Sequence, residues 1–256
     1  MRQISATVIK DLKGILRSPR IFILLAAGLF CSVINVTSLR YMKEILEAFS
    51  TELDIGNIMP NPDFAMLFAG TLSELSDIGL IVMLLVFMTF IGGEQKKKSL
   101  TIPFSSGLKI ESYVASKFIL YPILAFAFMS IFTIIGYLTS ILLIGNGIAL
   151  SSALASLVTV SLEVVFIVVL CTFVGLITGR PGIGIAIVYF IRLFLISILT
   201  IGNLNRFSPF ALSAYGLMLE SISVSELWIT IAITAVLIVA LIQAAFIIMK
   251  KRVIKF

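Results

Sequence analysis

The sequence predicts an all-α integral membrane protein, and three observations decide it. Hydrophobic residues make up 60% of the 256-residue chain and charged residues only 12%, with a mean hydropathy of +1.17, so there is too little polar surface to cover a water-soluble core. The apolar stretches are continuous rather than alternating, and each is near the length that crosses about 30 Å at 1.5 Å per residue. Backbone polar groups in lipid must be satisfied within the chain, which leaves helices or a closed barrel, and unalternating runs select helices.

Taken in order, residues 1–18 predict an amphipathic interfacial helix. Ile4, Val8, Leu12 and Ile15 or Leu16 fall on one helical face, while Lys10, Lys13 and Arg17 lie off it; Pro19 then breaks the helix. Nothing in the first 20 residues has the pattern of a removable signal peptide. Six spans follow within a single transmembrane domain, at 21–38, 78–93, 118–144, 151–178, 183–202 and 227–249. Between the first two, Tyr41 to Phe49 has helical spacing, Pro60-Asn61-Pro62 turns the chain, and Asp63 is placed to cap a further helix over Phe64 to Leu75. Gly145-Asn146-Gly147 makes a tight turn. Residues 203–226 carry Ser208-Pro209-Phe210 and an apolar stretch too short to span, the pattern of an external re-entrant segment.

Basic flanks orient the spans. One set of ends holds Arg2, Lys10, Lys13, Arg17, Arg20, Lys96, Lys97, Lys98, Lys109, Lys117, Arg180, Lys250, Lys251, Arg252 and Lys255, and the other only Arg40, Lys43 and Arg206. Both termini are therefore expected in the cytoplasm, in a multi-pass protein of the cell membrane.

The chain has no histidine and two cysteines, Cys31 and Cys171, each inside an apolar run without metal-ligand spacing. It carries no GxxxxGK[ST] phosphate loop, GxSxG elbow or HExxH helix. No catalytic residue, cofactor site or metal site is expected, and nothing points to nucleic acid. Two ionisable residues fall inside spans, Glu163 in the fourth and Arg192 in the fifth. Charge at that depth faces a partner, the bundle interior or a wet path; the two either pair with one another or line a substrate route. Small residues such as Gly175, Gly182 and Gly184 permit close helix approach, within the chain or between subunits.

The longest polar break, Gly92 to Lys117, contains three consecutive lysines and then Ser99, Leu100, Pro103, Phe104 and Ser105. Here the sequence resembles the membrane subunits of type-2 ABC exporters. In that family an acidic residue closes the second span and is followed by a small turn, a leucine-bearing segment, a Pro-x-Ser patch and a lysine before the third span. Glu94, Ser99, Leu100, Pro103, Ser105 and Lys117 fill those places. Lys98-Ser99 stands where the family commonly has Gly-Thr, and Ser106 where it has arginine.

The resemblance implies a cytoplasmic coupling helix over 94–112, with Glu94, Gln95, Ser99, Leu100, Pro103 and Phe104 docking on a separate ATP-binding cassette subunit. The turn from Thr178 to Gly184 would make a smaller contact. It implies an exporter of an apolar or amphipathic substrate (a peptide, lantibiotic-like toxin, lipid or drug), built from two such permeases, identical or paralogous. ATP and magnesium would be held on the partner, so this chain is not itself expected to be an enzyme. Membrane lipid is the other expected partner. Two other classes stay open on the residues alone: an ion-coupled secondary carrier using Glu163, and a membrane scaffold or sensor that transports nothing.

Overall fold

The computed structural model describes residues 2–49, 62–96, 107–145, 147–201, 207–217 and 224–253, and among them there is helix and no strand. The helices are α1 (Arg2–Leu16), α2 (Arg20–Arg40), α3 (Met42–Phe49), α4 (Phe64–Gly93, its backbone continuing to Lys96) and α5 (Ile110–Ile144). Then come α6 (Leu150–Thr178), α7 (Pro181–Ile201), the short α8 (Leu212–Leu217) and α9 (Val224–Val253). Five of them, α2, α4, α5, α6 and α9, are long and apolar enough to cross a bilayer. The apolar stretch described in α7, Gly182–Phe194, is shorter. This is a multi-pass helical membrane architecture.

Two helices start well before their expected spans, α4 because a π turn carries it through Asp77 and α5 because it is capped earlier. The Asp63 cap forms, its Oδ1 accepting from the Met66 N–H at 2.8 Å, but the helix it starts does not stop at Leu75. Leu75–Gly79 form a π-helical turn that absorbs an extra residue and joins the expected outer helix to the second span, so α4 starts at Phe64 rather than Ile78. The matching turn in α2 is Phe30–Ile34. The two π turns touch, and the Cys31 thiol donates to the Glu74 carbonyl at 3.6 Å, a group at the head of the widened turn. α5 likewise begins before Phe118. Lys109 is extended at its N-cap, Glu111 sits favourably in the first turn, and Gly145 with φ of +84° ends it.

α6 is the centre of the bundle: 67% of its most apolar window is buried, against 28% for α2 and 11% for α9. It packs on α5, α7, α8 and α9. Glycines set several of these approaches. Gly28 faces the Phe132 ring, Gly136 faces Thr71, and Gly216 faces Val160, each with no room for a Cβ. A Cβ on Gly184 would meet the backbone nitrogen of Gly175 at 3.3 Å, so these two small residues of the fourth and fifth spans serve packing of α6 on α7 within one chain.

Contacts show which helix ends lie together. Arg20 Nη1 donates to Thr89 Oγ1 at 3.0 Å, Met88 lies against Gly175, and Lys250 Nζ is 3.6 Å from Glu111 Oε1. The start of α2, the end of α4, the start of α5, the end of α6 and the end of α9 therefore share one end of the bundle. At the other end, Phe64 and Phe68 of α4 set their rings edge-on to Tyr137 of α5 at 5.3 and 5.7 Å, and the Tyr137 hydroxyl donates to the Ile148 carbonyl at 3.1 Å.

Candidate functional site

Two polar clusters stand out from the apolar bundle. The first is an ion network on α4, α6 and α7. Arg192 Nη2 donates to Glu163 Oε1 at 3.1 Å and Nη1 to Asp77 Oδ1 at 2.9 Å. The two mid-span charges expected from the sequence are thus joined, and a third residue joins them. Asp77 was expected just outside the second span; the continuous α4 carries it into contact with α7. Glu163 Oε2 also accepts from the Ser213 backbone N–H of α8 at 2.7 Å, meeting one of the donors a helix leaves open in its first turn. Phe210 packs edge-on to Phe166 at 5.7 Å, and Ser208 Oγ accepts from the Phe210 N–H at 3.3 Å. This part of the 203–226 segment is therefore seated on α6.

Burial divides the network. The Glu163 side chain is 1% exposed and that of Arg192 11%, whereas the Asp77 side chain is 59% exposed. Arg192 and Glu163 make a sealed pair, and Asp77 presents a carboxylate at the bundle surface. Arg192 Nε is buried without a hydrogen-bond partner among the described residues. Tyr189, a turn away on α7, donates to the Asp77 carbonyl at 3.4 Å.

The second cluster lies at the opposite end, beneath α1. Lys117 Nζ bonds Asp11 Oδ2 at 2.9 Å, with side chains 1% and 5% exposed. The ammonium sits 5.1 and 5.8 Å from the ring centres of Tyr113 and Tyr121, within cation–π range. A cavity of about 90 Å³ beside it is lined by residues of α1, α4 and α5, among them Gly14, Phe90 and Tyr121. Gln3 fastens the far end of α1: its Nε2 donates to the Gly107 carbonyl at 3.2 Å. Its Oε1 accepts from the Lys109 N–H and the Ser112 hydroxyl, both at 3.4 Å.

This changes the reading of α1. Its apolar face was expected at the headgroup boundary; instead Ile15 is buried in the core, and Val8 and Leu12 pack against it. Lys10, Lys13 and Arg17 remain exposed, sharing with Ala6, Ile9 and Gly14 the open outer face of α1.

No family model and no curated protein matches this chain.

Of the expected docking residues, Glu94 and Gln95 continue the backbone of α4 with side chains outside the description, and Ser99, Leu100, Pro103 and Phe104 lie outside the described residues. Of the expected 94–112 helix, residues 94–96 continue α4, 107–109 are turn and coil rather than helix, and 110–112 open α5; 97–106 lie outside the described residues. Sequence reasoning missed Asp11, Gln3, Asp77 and Ser213. One signal existed for Asp11: it is the only acidic residue between Arg2 and Arg20, in a helix otherwise basic. Ser213 contributes a backbone N–H and carried no signal.

Proposed function

We propose that this chain is the transmembrane subunit of an ATP-driven exporter of the type-2 ABC class, with six spans and both termini in the cytoplasm of a cell whose membrane it crosses. Two permeases and two separate ATP-binding subunits would form the transporter and move an apolar or amphipathic substrate outward. The observation that carries this reading is the clasp at the basic end of the bundle. Gln3 holds Gly107 and Lys109, where the 97–106 segment re-enters the described chain, and Lys117, about two turns further on, is ion-paired to the same helix α1. A partner that pushed on this segment would load α1 and α5 together, as coupling to ATP hydrolysis requires.

Co-expression with an ATP-binding cassette subunit, affinity purification and an ATPase assay test the proposal. Association is expected, with loss in a Leu100→Ala/Phe104→Ala variant; unchanged association would overturn the docking surface, and no association with any such subunit would overturn the exporter. The carrier reading ranks behind it. A proton relay needs a carboxylate in contact with water, and Glu163 is sealed between two donors.

A further inference from the structure

We infer that Asp77, steadied by Arg192, is the seat for the cationic group of an amphipathic substrate. The inference rests on the transport reading and adds the charge of what is carried. It begins from depth. A Cβ on Gly79 would meet Phe128 at 3.4 Å, which places this part of α4 level with Phe128 of α5. From Lys117 to Phe128 is 128 − 117 = 11 residues, roughly 16 Å at 1.5 Å per residue, and Asp77 lies two residues further from the basic end. Gly136, set against Thr71 of α4, is 136 − 117 = 19 residues from Lys117, about 28 Å and close to one hydrocarbon thickness. Asp77 is thus on the order of 10 Å inside the far boundary of the apolar layer.

A carboxylate 59% exposed at that depth does not face acyl chains; charged side chains in spans face a partner, a ligand or water. Its own counter-ion does not cancel it. Arg192 is shared with the sealed Glu163, so with both carboxylates ionised the trio carries one surplus negative charge, and Asp77 is its exposed member. Among the described residues near it, Ile78 and Ile81 are 41% and 39% exposed on α4 and Leu193 beside Arg192 is 66% exposed, with Glu74 half-buried one turn away on α4. A fixed anion set in apolar surface matches a ligand with one positive charge on an apolar body. Arg192 holds the carboxylate in place through Nη1 and repels a second cation, which favours monovalent ligands.

The test is equilibrium binding of radiolabelled tetraphenylphosphonium to the purified full-length protein in nanodiscs, alone and with its ATPase partner. Saturable binding is expected. It should weaken about tenfold or more in Asp77→Asn, the low end for losing one member of a desolvated charge pair, and recover in part in Asp77→Glu. A neutral triphenyl competitor should displace the probe poorly. The Asp77→Asn variant keeps the Arg192–Glu163 pair, so it should fold, and an unchanged thermal midpoint checks this. Equal binding by Asp77→Asn, or equal competition by the neutral compound, overturns the site. So does disulfide cross-linking of two Asp77→Cys copies that the probe fails to block, which would mean that a second copy covers this face. Failure of ATPase association with probe binding intact would sink the exporter reading and leave the cation site standing. ATPase association with Asp77-independent binding would do the reverse.

Discussion

Removing Asp11 is expected to be among the most damaging single changes at the basic end of the bundle. Lys117 is 1% exposed and Asp11 5%, so Asp11→Ala takes the carboxylate away from a desolvated ammonium. Losing one partner of a buried pair typically costs about 3–5 kcal/mol. The rings of Tyr113 and Tyr121 stay within 5.1 and 5.8 Å of the ammonium and retain up to roughly 2 kcal/mol of attraction, so a loss near the low end, about 3 kcal/mol, is expected. Lys117→Met in the same background removes the buried charge and fills the space with an apolar chain of similar length; it should restore most of the loss. The assay is thermal or denaturant unfolding of the purified protein in detergent for the wild type, both single variants and the double variant. A double variant no more stable than Asp11→Ala, or an Asp11→Ala loss under about 1 kcal/mol, the size of an exposed ion pair, would refute the claim that this is a buried pair on which α1 depends.

The same logic applies to the second cluster. Arg192→Met alone should destabilise by about 3–5 kcal/mol because it leaves Glu163 buried and charged, and adding Glu163→Gln should recover stability while the side-chain oxygen still accepts from Ser213; an unrecovered double variant, measured by the same unfolding scan, would count against the pair. Gly28→Ala sets a methyl against the Phe132 ring and should cost about 1–3 kcal/mol by overpacking, whereas Gly14→Ala, with open space around its Cα, should be neutral or slightly stabilising through helix propensity. Neutralising Lys10, Lys13 and Arg17 together should reduce the stabilisation of the purified protein by phosphatidylglycerol over phosphatidylcholine, since these cations lie together on the exposed face of α1; the reading fails if the variant keeps the full thermal shift.

Much of the fold was legible because the bilayer imposes local rules. A run of apolar residues long enough to cross is visible without knowing its neighbours, and the basic residues at its ends show which ends gather together. Asp63 was legible as a cap because its partner lies three residues away. The boundary set at Ile78 falls short for a related reason: Asp77 has the look of the polar end of a span, yet the π turn carries the helix through it and Arg192 reaches its carboxylate from α7.

What the sequence by itself determined is therefore the helical membrane class, the ends that gather the basic residues, and the two charges that required an explanation. Tertiary structure decided which charge meets which. Asp11 finds Lys117 across 106 positions, Arg192 finds Asp77 across 115, and Ser213 reaches Glu163 across 50. Helices apolar on every side carry no periodicity that states which face turns inward. Their rotation and register follow from packing, from glycines that admit a ring or another backbone and from the few charges that must be paired out of water, and these constraints close only when all the helices are in place.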